Sequence, residues 1–324
     1  MSDPHVLSYQ RFLPPELTSP LVDPVTEWLP IGRCTTVHLF RHPAPESVPE
    51  SAPERGAVVV LHGGGGHGRM LAGLGALVQR LGAGAVAPDL PGYGHTVVAD
   101  RRSVTYDDWV DAAAAVVDHE YERTGSPVVV VGASMGGRLA VDVAHRLGDR
   151  VGAVVATCLL DPRLAEVRAV VGRHRLLVDG GVLLMRVTAR FSDRIMVPMR
   201  WIAPIDRIAN DPDLADICSH DPLGAGRAVP LGFLRTWLDY DPGYEPETFT
   251  ACPVILAHPG DDRWTPLEVS RAWFDRLVVD RELIVLPGCG HFPVEPSGYE
   301  ALATALRTAL GLASTGPRNH IPGP

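Results

Sequence analysis

The stretch VVVVGASMGGRLAV, residues 128–141, places a serine where it could act as a nucleophile. Gly132, Ser134 and Gly136 form a G-x-S-x-G pattern between an apolar β-type run and a helical pattern, the context that gives this pattern meaning. The small neighbours would let the hydroxyl stand clear on a tight turn, and the N-terminus of the following helix would favour negative charge there. A serine hydroxyl is a poor nucleophile near neutral pH, so it needs a general base, and the base needs an orienting carboxylate. His291, in GCGHFPVEP, follows a strand-like run and comes after the serine in chain order. Three acids compete for the carboxylate role: Asp261 and Asp262 in HPGDDRWTP, and Asp161 in LLDPR. Asp262 is favoured because it precedes Pro266, which opens the next helix, and so lies within a strand-to-helix loop. Asp161 stays open as an acid supplied from the end of the neighbouring strand, and Asp261 as a turn residue. Charge developing on a substrate oxygen needs backbone N–H donors. Met135, directly after the serine, and Gly64, in LHGGGGHG (61–68), are the expected pair, with Gly63 and Gly65 supporting the loop and His62 and His67 as structural residues.

The elements that must carry these residues alternate between strand and helix patterns. Candidate strands cover 35–40, 56–62, 84–89, 127–133, 151–160, 253–258 and 282–287. Several are unbroken β-branched runs, as expected of strands buried on both faces of a parallel sheet. Helical patterns occupy about 69–81, 105–124, 135–148, 266–279 and 297–311, so the fold class is a wound α/β sheet. Residues 1–160 and 251–312 are expected to form the core. The long interruption at 161–250 reads as an inserted cap or lid, 42–55 as an exposed connection rich in Pro, Glu and Ser, and 313–324 as a disordered tail. Within the insertion, Leu183, Leu184, Met185, Met196, Met199 and Trp201 could line an acyl pocket or simply pack the cap on the sheet. Arg186, Arg190 and Arg194 fall on one helical face, turned to solvent or toward a substrate anion.

Composition removes several alternatives. The 324 residues carry a net charge of −9, which argues against a nucleic-acid binder. All 29 basic residues are arginines, so Schiff-base and pyridoxal phosphate chemistry, which need an amine, are excluded. Five cysteines without a C-x-x-C pair argue against a zinc site or a disulfide framework. No signal-like segment opens the sequence and no apolar run reaches membrane-spanning length, so a cytoplasmic protein is expected. The run GGGGHG (63–68) with Asp89 after the next strand also satisfies a dinucleotide-binding spacing, but that reading leaves the serine, acid and histidine unexplained.

The stretches VVLHGGGGHG, VAPDLPGYG, VGASMGG, HPGDDRWTP and GCGHFPVEP occur in the order found in the α/β-hydrolase fold family, and the chain resembles that family from about residue 56 to 300. The resemblance implies a mostly parallel eight-stranded sheet with an inserted helical cap, a Ser134–Asp262–His291 triad and no cofactor. Residues 220–238 resemble, more loosely, the lid end of bacterial monoacylglycerol lipase and lysophospholipase-like esterases. Ala133 departs from the larger residue many relatives carry there, which would widen the space beside the serine. The expected activity is hydrolysis of a small to medium apolar acyl ester. Acyl transfer, perhydrolysis, and a lyase or ligand-binding role on the same fold are the alternatives. The expected partner is a small-molecule ester, with no metal, no nucleic acid and no membrane span, and with a homodimer left open.

Overall fold

The computed structural model describes residues 8–46, 57–172 and 185–314. Most of the 42–55 connection, residues 315–324 of the tail, and Leu183 and Leu184 lie outside the described residues. An eight-stranded sheet runs through the molecule. Its strands are β1 (Val25–Ile31), β2 (Thr35–His42), β3 (Val58–Leu61), β4 (Ala85–Pro88), β5 (Val128–Gly132), β6 (Val151–Ala156), β9 (Val254–Pro259) and β10 (Arg281–Leu286), in the order β1-β2-β4-β3-β5-β6-β9-β10. From β4 onward the neighbours are parallel, while β1–β2 and β2–β4 are antiparallel. The short β7 (Met196–Pro198) and β8 (Ala228–Pro230) pair separately as an antiparallel ribbon.

The valine runs explain the layering. Successive strand side chains point to opposite faces, so a strand covered on both sides must be apolar throughout. In β5, Val128 and Val130 join the core on one face, packed with α2 (Tyr106–Thr124) and α3 (Met135–Leu147). Val129 and Val131 join the core on the other, packed with α1 (Ala72–Arg80) and α9 (Pro296–Ser314). α2 begins with a capping box, Thr105 with Asp108, and is closed by Gly125 in the left-handed conformation.

β1 is the strand that the seven apolar runs do not include. Its VTEWLPI sequence alternates, contains Pro30, and lies at the sheet edge with half of its residues exposed, so it lacks the signal of a buried strand. β6 is shorter than the apolar run 151–160: the sheet ends at Ala156, and residues 157–160 continue as a buried loop beneath the serine. Between β6 and β9 lie α4 (Ala165–Val171), a helical stretch over 185–192, α5 (Met199–Ile202), α6 (Pro212–His220) and α7 (Leu231–Leu238), together with the β7–β8 ribbon. α8 (Leu267–Phe274) joins β9 to β10. All five cysteines are free; Cys34 is exposed and the other four are buried. Among the described residues no helix is long and apolar enough to cross a membrane.

Candidate active site

Ser134 is the one non-glycine with positive φ among the described residues (φ 55°, ψ −123°). Such a backbone costs on the order of 1–3 kcal/mol and persists only where its surroundings enforce it. They do so by close approach. A Cβ on Gly132 would lie 2.0 Å from the Gly136 carbonyl oxygen, and one on Gly136 would lie 2.4 Å from that of Leu61. The Ser134 N–H donates to Thr157 Oγ1 at 3.0 Å, which ties the turn to the loop after β6.

The sheet brings the three predicted side chains together although they are far apart in sequence. Ser134 follows β5, Asp262 follows β9 and His291 follows β10, all at the carboxyl ends of parallel strands. His291 Nε2 is 2.8 Å from Ser134 Oγ, and His291 Nδ1 is 2.8 Å from Asp262 Oδ2. An ionised carboxylate only accepts, so Nδ1 carries the proton and Nε2 is left to accept from the serine hydroxyl. The Asp262 carboxylate is saturated. Oδ1 accepts from the N–H groups of Trp264 and Thr265, both at 2.8 Å, and Oδ2 also accepts from Thr265 Oγ1 at 2.7 Å. Burial would raise this carboxyl, but His291 and Thr265 outweigh it and bring it down to about 2. Burial alone would lower the His291 imidazole; Asp262 reverses that and raises it above its ordinary value. The ring is steadied by Trp264, its centroid 4.7 Å away, and by the next residue, Phe292, whose N–H donates to the Ile208 carbonyl at 2.6 Å.

The other two acids are placed elsewhere. Asp161 is buried and paired with Arg138 and Arg163, at 3.1 and 2.7 Å. Asp261 is exposed, and its N–H donates to the Cys289 carbonyl at 2.9 Å.

Met135 opens α3, where an N–H has no partner within the helix. Gly64 lies in a turn closed by the Gly66 N–H donating to the Gly63 carbonyl at 3.0 Å. A side chain at Gly64 would meet the thioethers of Met135 and Met199, at 2.9 and 3.0 Å. This loop is braced at several points. His62 Nδ1 donates to the Gly63 carbonyl at 2.8 Å, and its Nε2 accepts from the Leu90 N–H at 2.9 Å. The Gly68 N–H donates to Asp89 Oδ1 at 2.7 Å, so Asp89 anchors this loop instead of a ribose. His67 Nε2 lies 2.8 Å from Asp221 Oδ2, which also accepts from Tyr9 Oη at 2.6 Å. Burial would raise the Asp221 carboxyl, but His67 and Tyr9 outweigh it and bring it down to about 2.

Sequence reasoning did not single out Thr157, Thr265, Asp221 or Tyr9 as supports of the site. Asp221 lies near the start of the 220–238 segment, and a buried acid there needs a donor, but nothing in the chain pattern points to His67. Another unanticipated neighbour is Cys158, whose Sγ is 3.1 Å from Thr265 Oγ1 and 4.0 Å from Asp262 Oδ2. Burial would push its thiol up, yet interactions with His258 and His291 bring it down to about 7. Cys158, Asp262 and His291 offer atoms within 4.8 Å of one another, close enough to hold a metal ion in principle. The Asp262–His291 hydrogen bond already occupies two of those donors.

A family model described as "Alpha/beta hydrolase family" matches residues 58–305, most of the chain. The chain belongs to the alpha/beta hydrolase family. Shorter matches connect this hydrolase-family chain to protein phosphatase methylesterase 1 of Bos taurus, 30% identical over 108 residues, and to lipase LipV of Mycobacterium tuberculosis, 38% identical over 115 residues. These stretches cover 33% and 36% of this chain, and only 28% and 40% of the two relatives. Among solved structures, the monoacylglycerol lipase of Paleococcus ferrophilus superposes with a TM-score of 0.64 at 23% identity, covering 85% of this chain and 99% of that one. A soluble variant of monoglyceride lipase from Saccharomyces cerevisiae reaches a TM-score of 0.71 at 17% identity, covering 92% and 97%. At these identities the structural likeness establishes the alpha/beta hydrolase fold.

Proposed function

We propose that the chain is a serine hydrolase of carboxylic esters, with Ser134 as nucleophile, His291 as general base and acid, and Asp262 as the residue that orients the imidazole. The observation that carries this reading is the unbroken chain of two 2.8 Å contacts from Ser134 Oγ through His291 to Asp262. Ser134 Oγ attacks the ester carbonyl as His291 Nε2 takes its proton. Asp262 stabilises the imidazolium without becoming protonated itself. The negative charge forming on the carbonyl oxygen is held by the N–H groups of Met135 and Gly64, each contributing about 3 kcal/mol in the transition state. His291 returns the proton to the departing alcohol and leaves an acyl-enzyme. Water activated by the same imidazole then releases the acid and restores the serine.

We read residues 161–250 as the cap. Met199 rests against Gly64, and the Ile208 carbonyl holds the loop that carries His291. Arg186, Arg190 and Arg194 are exposed; Arg186 and Arg194 pair with Asp239 and Asp100, which leaves those two turned to protein carboxylates and away from the serine.

The reading is tested by turnover of p-nitrophenyl acetate and butyrate by the full chain and by Ser134→Ala. Loss of roughly 10⁴-fold or more in kcat with an unchanged far-UV circular dichroism spectrum is expected. Retention of turnover in the variant contradicts it.

A further inference from the structure

The cavity at Ser134 is walled mostly by the core, with Ile208 of the 161–250 segment also lining it. It is an apolar pocket of about 70 Å³ that runs from Ser134, Ala133 and His291 to residues of α1 and α9. Its inner end is made by Leu74 of α1, Val131 of β5 and Tyr299 and Leu302 of α9. All four are buried residues of the core on that face of the sheet. Met196, Met199 and Trp201 do not line it: Met199 is packed on the Gly64 loop, and Trp201 is 65% exposed.

We propose that this pocket is the acyl-chain subsite, that it takes short to medium unbranched acyl groups, and that Ala133 sets the width of its mouth. The proposal rests on the hydrolytic reading above and adds where the chain lies and what limits its length. Three considerations lead to it. The inner end is lined by aliphatic and aromatic side chains, so it favours methylenes over a polar alcohol. At 10–15 Å³ for each water-sized group, the volume takes roughly five such groups, which suits a short straight chain and excludes a bulky one. Leu74, Val131, Tyr299 and Leu302 are also all buried. The alcohol must leave and water must come in to reach His291, so a recess walled by buried residues suits the half of the ester that stays bonded to Ser134. Ala133 is half-buried, lines the pocket and packs against this same core, so a larger side chain there takes up space beside the serine.

The test compares kcat/KM for p-nitrophenyl acetate, butyrate, hexanoate, octanoate and dodecanoate with that for ethyl, butyl and octyl acetate. The enzymes are the full-length wild type, Ala133→Leu, Leu302→Ala and the milder Leu302→Val. Each methylene excluded from an apolar pocket costs about fourfold, so Ala133→Leu is expected to lower the hexanoate-to-acetate ratio by roughly tenfold or more. Leu302→Ala is expected to move the preferred acyl length upward by about two carbons, and Leu302→Val to move it less in the same direction. The alcohol-side series is expected to keep its order in all three. Acyl-chain ratios that stay fixed in all three variants, or a shift in the alcohol series in their place, overturn the subsite while leaving the hydrolytic reading intact. Wild-type protein that turns over none of these esters overturns both.

Discussion

The carboxyl edge of the sheet and residues 161–250, between β6 and β9, carry different kinds of contact. At the edge, Ser134, Asp262 and His291 are fixed by buried hydrogen bonds to backbone and hydroxyl groups, and Asp262 alone accepts four. Residues 161–250 carry exposed or half-buried ion pairs, Arg163–Glu245, Arg186–Asp239 and Arg235–Asp193 within the segment and Arg194–Asp100 out of it. Removing one partner of a buried bond leaves the other unsatisfied and costs about 1–3 kcal/mol, whereas an exposed pair contributes about 0–1 kcal/mol. The side chains at the sheet edge are therefore held by the costlier contacts, and the surface ion pairs of 161–250 can vary at little cost. Buried links tie this segment to the core as well: Asp221 reaches His67 in the Gly64 loop, Asp161 pairs with Arg138, and Tyr244 Oη donates to Asp142 Oδ1 at 2.7 Å.

This contrast can be broken at its strongest point first. Asp262→Asn keeps the shape of the site but removes the charge that fixes the imidazole tautomer, and a fall in kcat of roughly 10⁴-fold is expected. The same variant gives a pH signature. His291 must be neutral to take the serine proton, and Asp262 raises its pKa, so the acid limb of the wild-type kcat/KM profile should lie above the ordinary imidazole value of about 6.5. In Asp262→Asn that limb should move to lower pH; a limb that stays in place would separate Asp262 from His291. Asp221→Asn sharpens the comparison at the buried link from 161–250 to the Gly64 loop. Loosening the Gly64 loop should lower kcat by about tenfold, less than the loss of an oxyanion donor itself, with KM changed little. Arg235→Ala breaks the half-buried ion pair with Asp193 inside 161–250. Its stability in urea should fall by no more than about 1 kcal/mol, with turnover retained.

The legibility of the molecule divides along the same line. Valine runs that must be buried on both faces reveal the central strands, and G-x-S-x-G reveals the turn because only small residues survive contacts as close as those of Gly132 and Gly136. The sequence favours Asp262 by its place before Pro266 and leaves Asp161 and Asp261 open; in the structure Asp161 pairs with Arg138 and Arg163. β1 stayed hidden because a half-exposed edge strand containing proline has no strong pattern. Thr157, Thr265 and the Tyr9–Asp221–His67 cluster were illegible for other reasons. Thr157 and the Tyr9–Asp221–His67 cluster depend on contacts between distant parts of the chain that no local spacing records, whereas Thr265 meets Asp262 only three residues away, in a turn whose form the sequence does not announce. The choice between a pocket lined by the cap and one inside the core likewise required knowing where Leu74 and Leu302 meet.

The central claim is that Ser134 is a nucleophile activated by His291. Mass spectrometry of the intact chain and its peptides after reaction with a fluorophosphonate tests it most directly. The account predicts one adduct per chain, on Ser134, formed in step with loss of ester turnover and suppressed in His291→Ala. An adduct on another residue, or full labelling of Ser134 in His291→Ala at the wild-type rate, would contradict it.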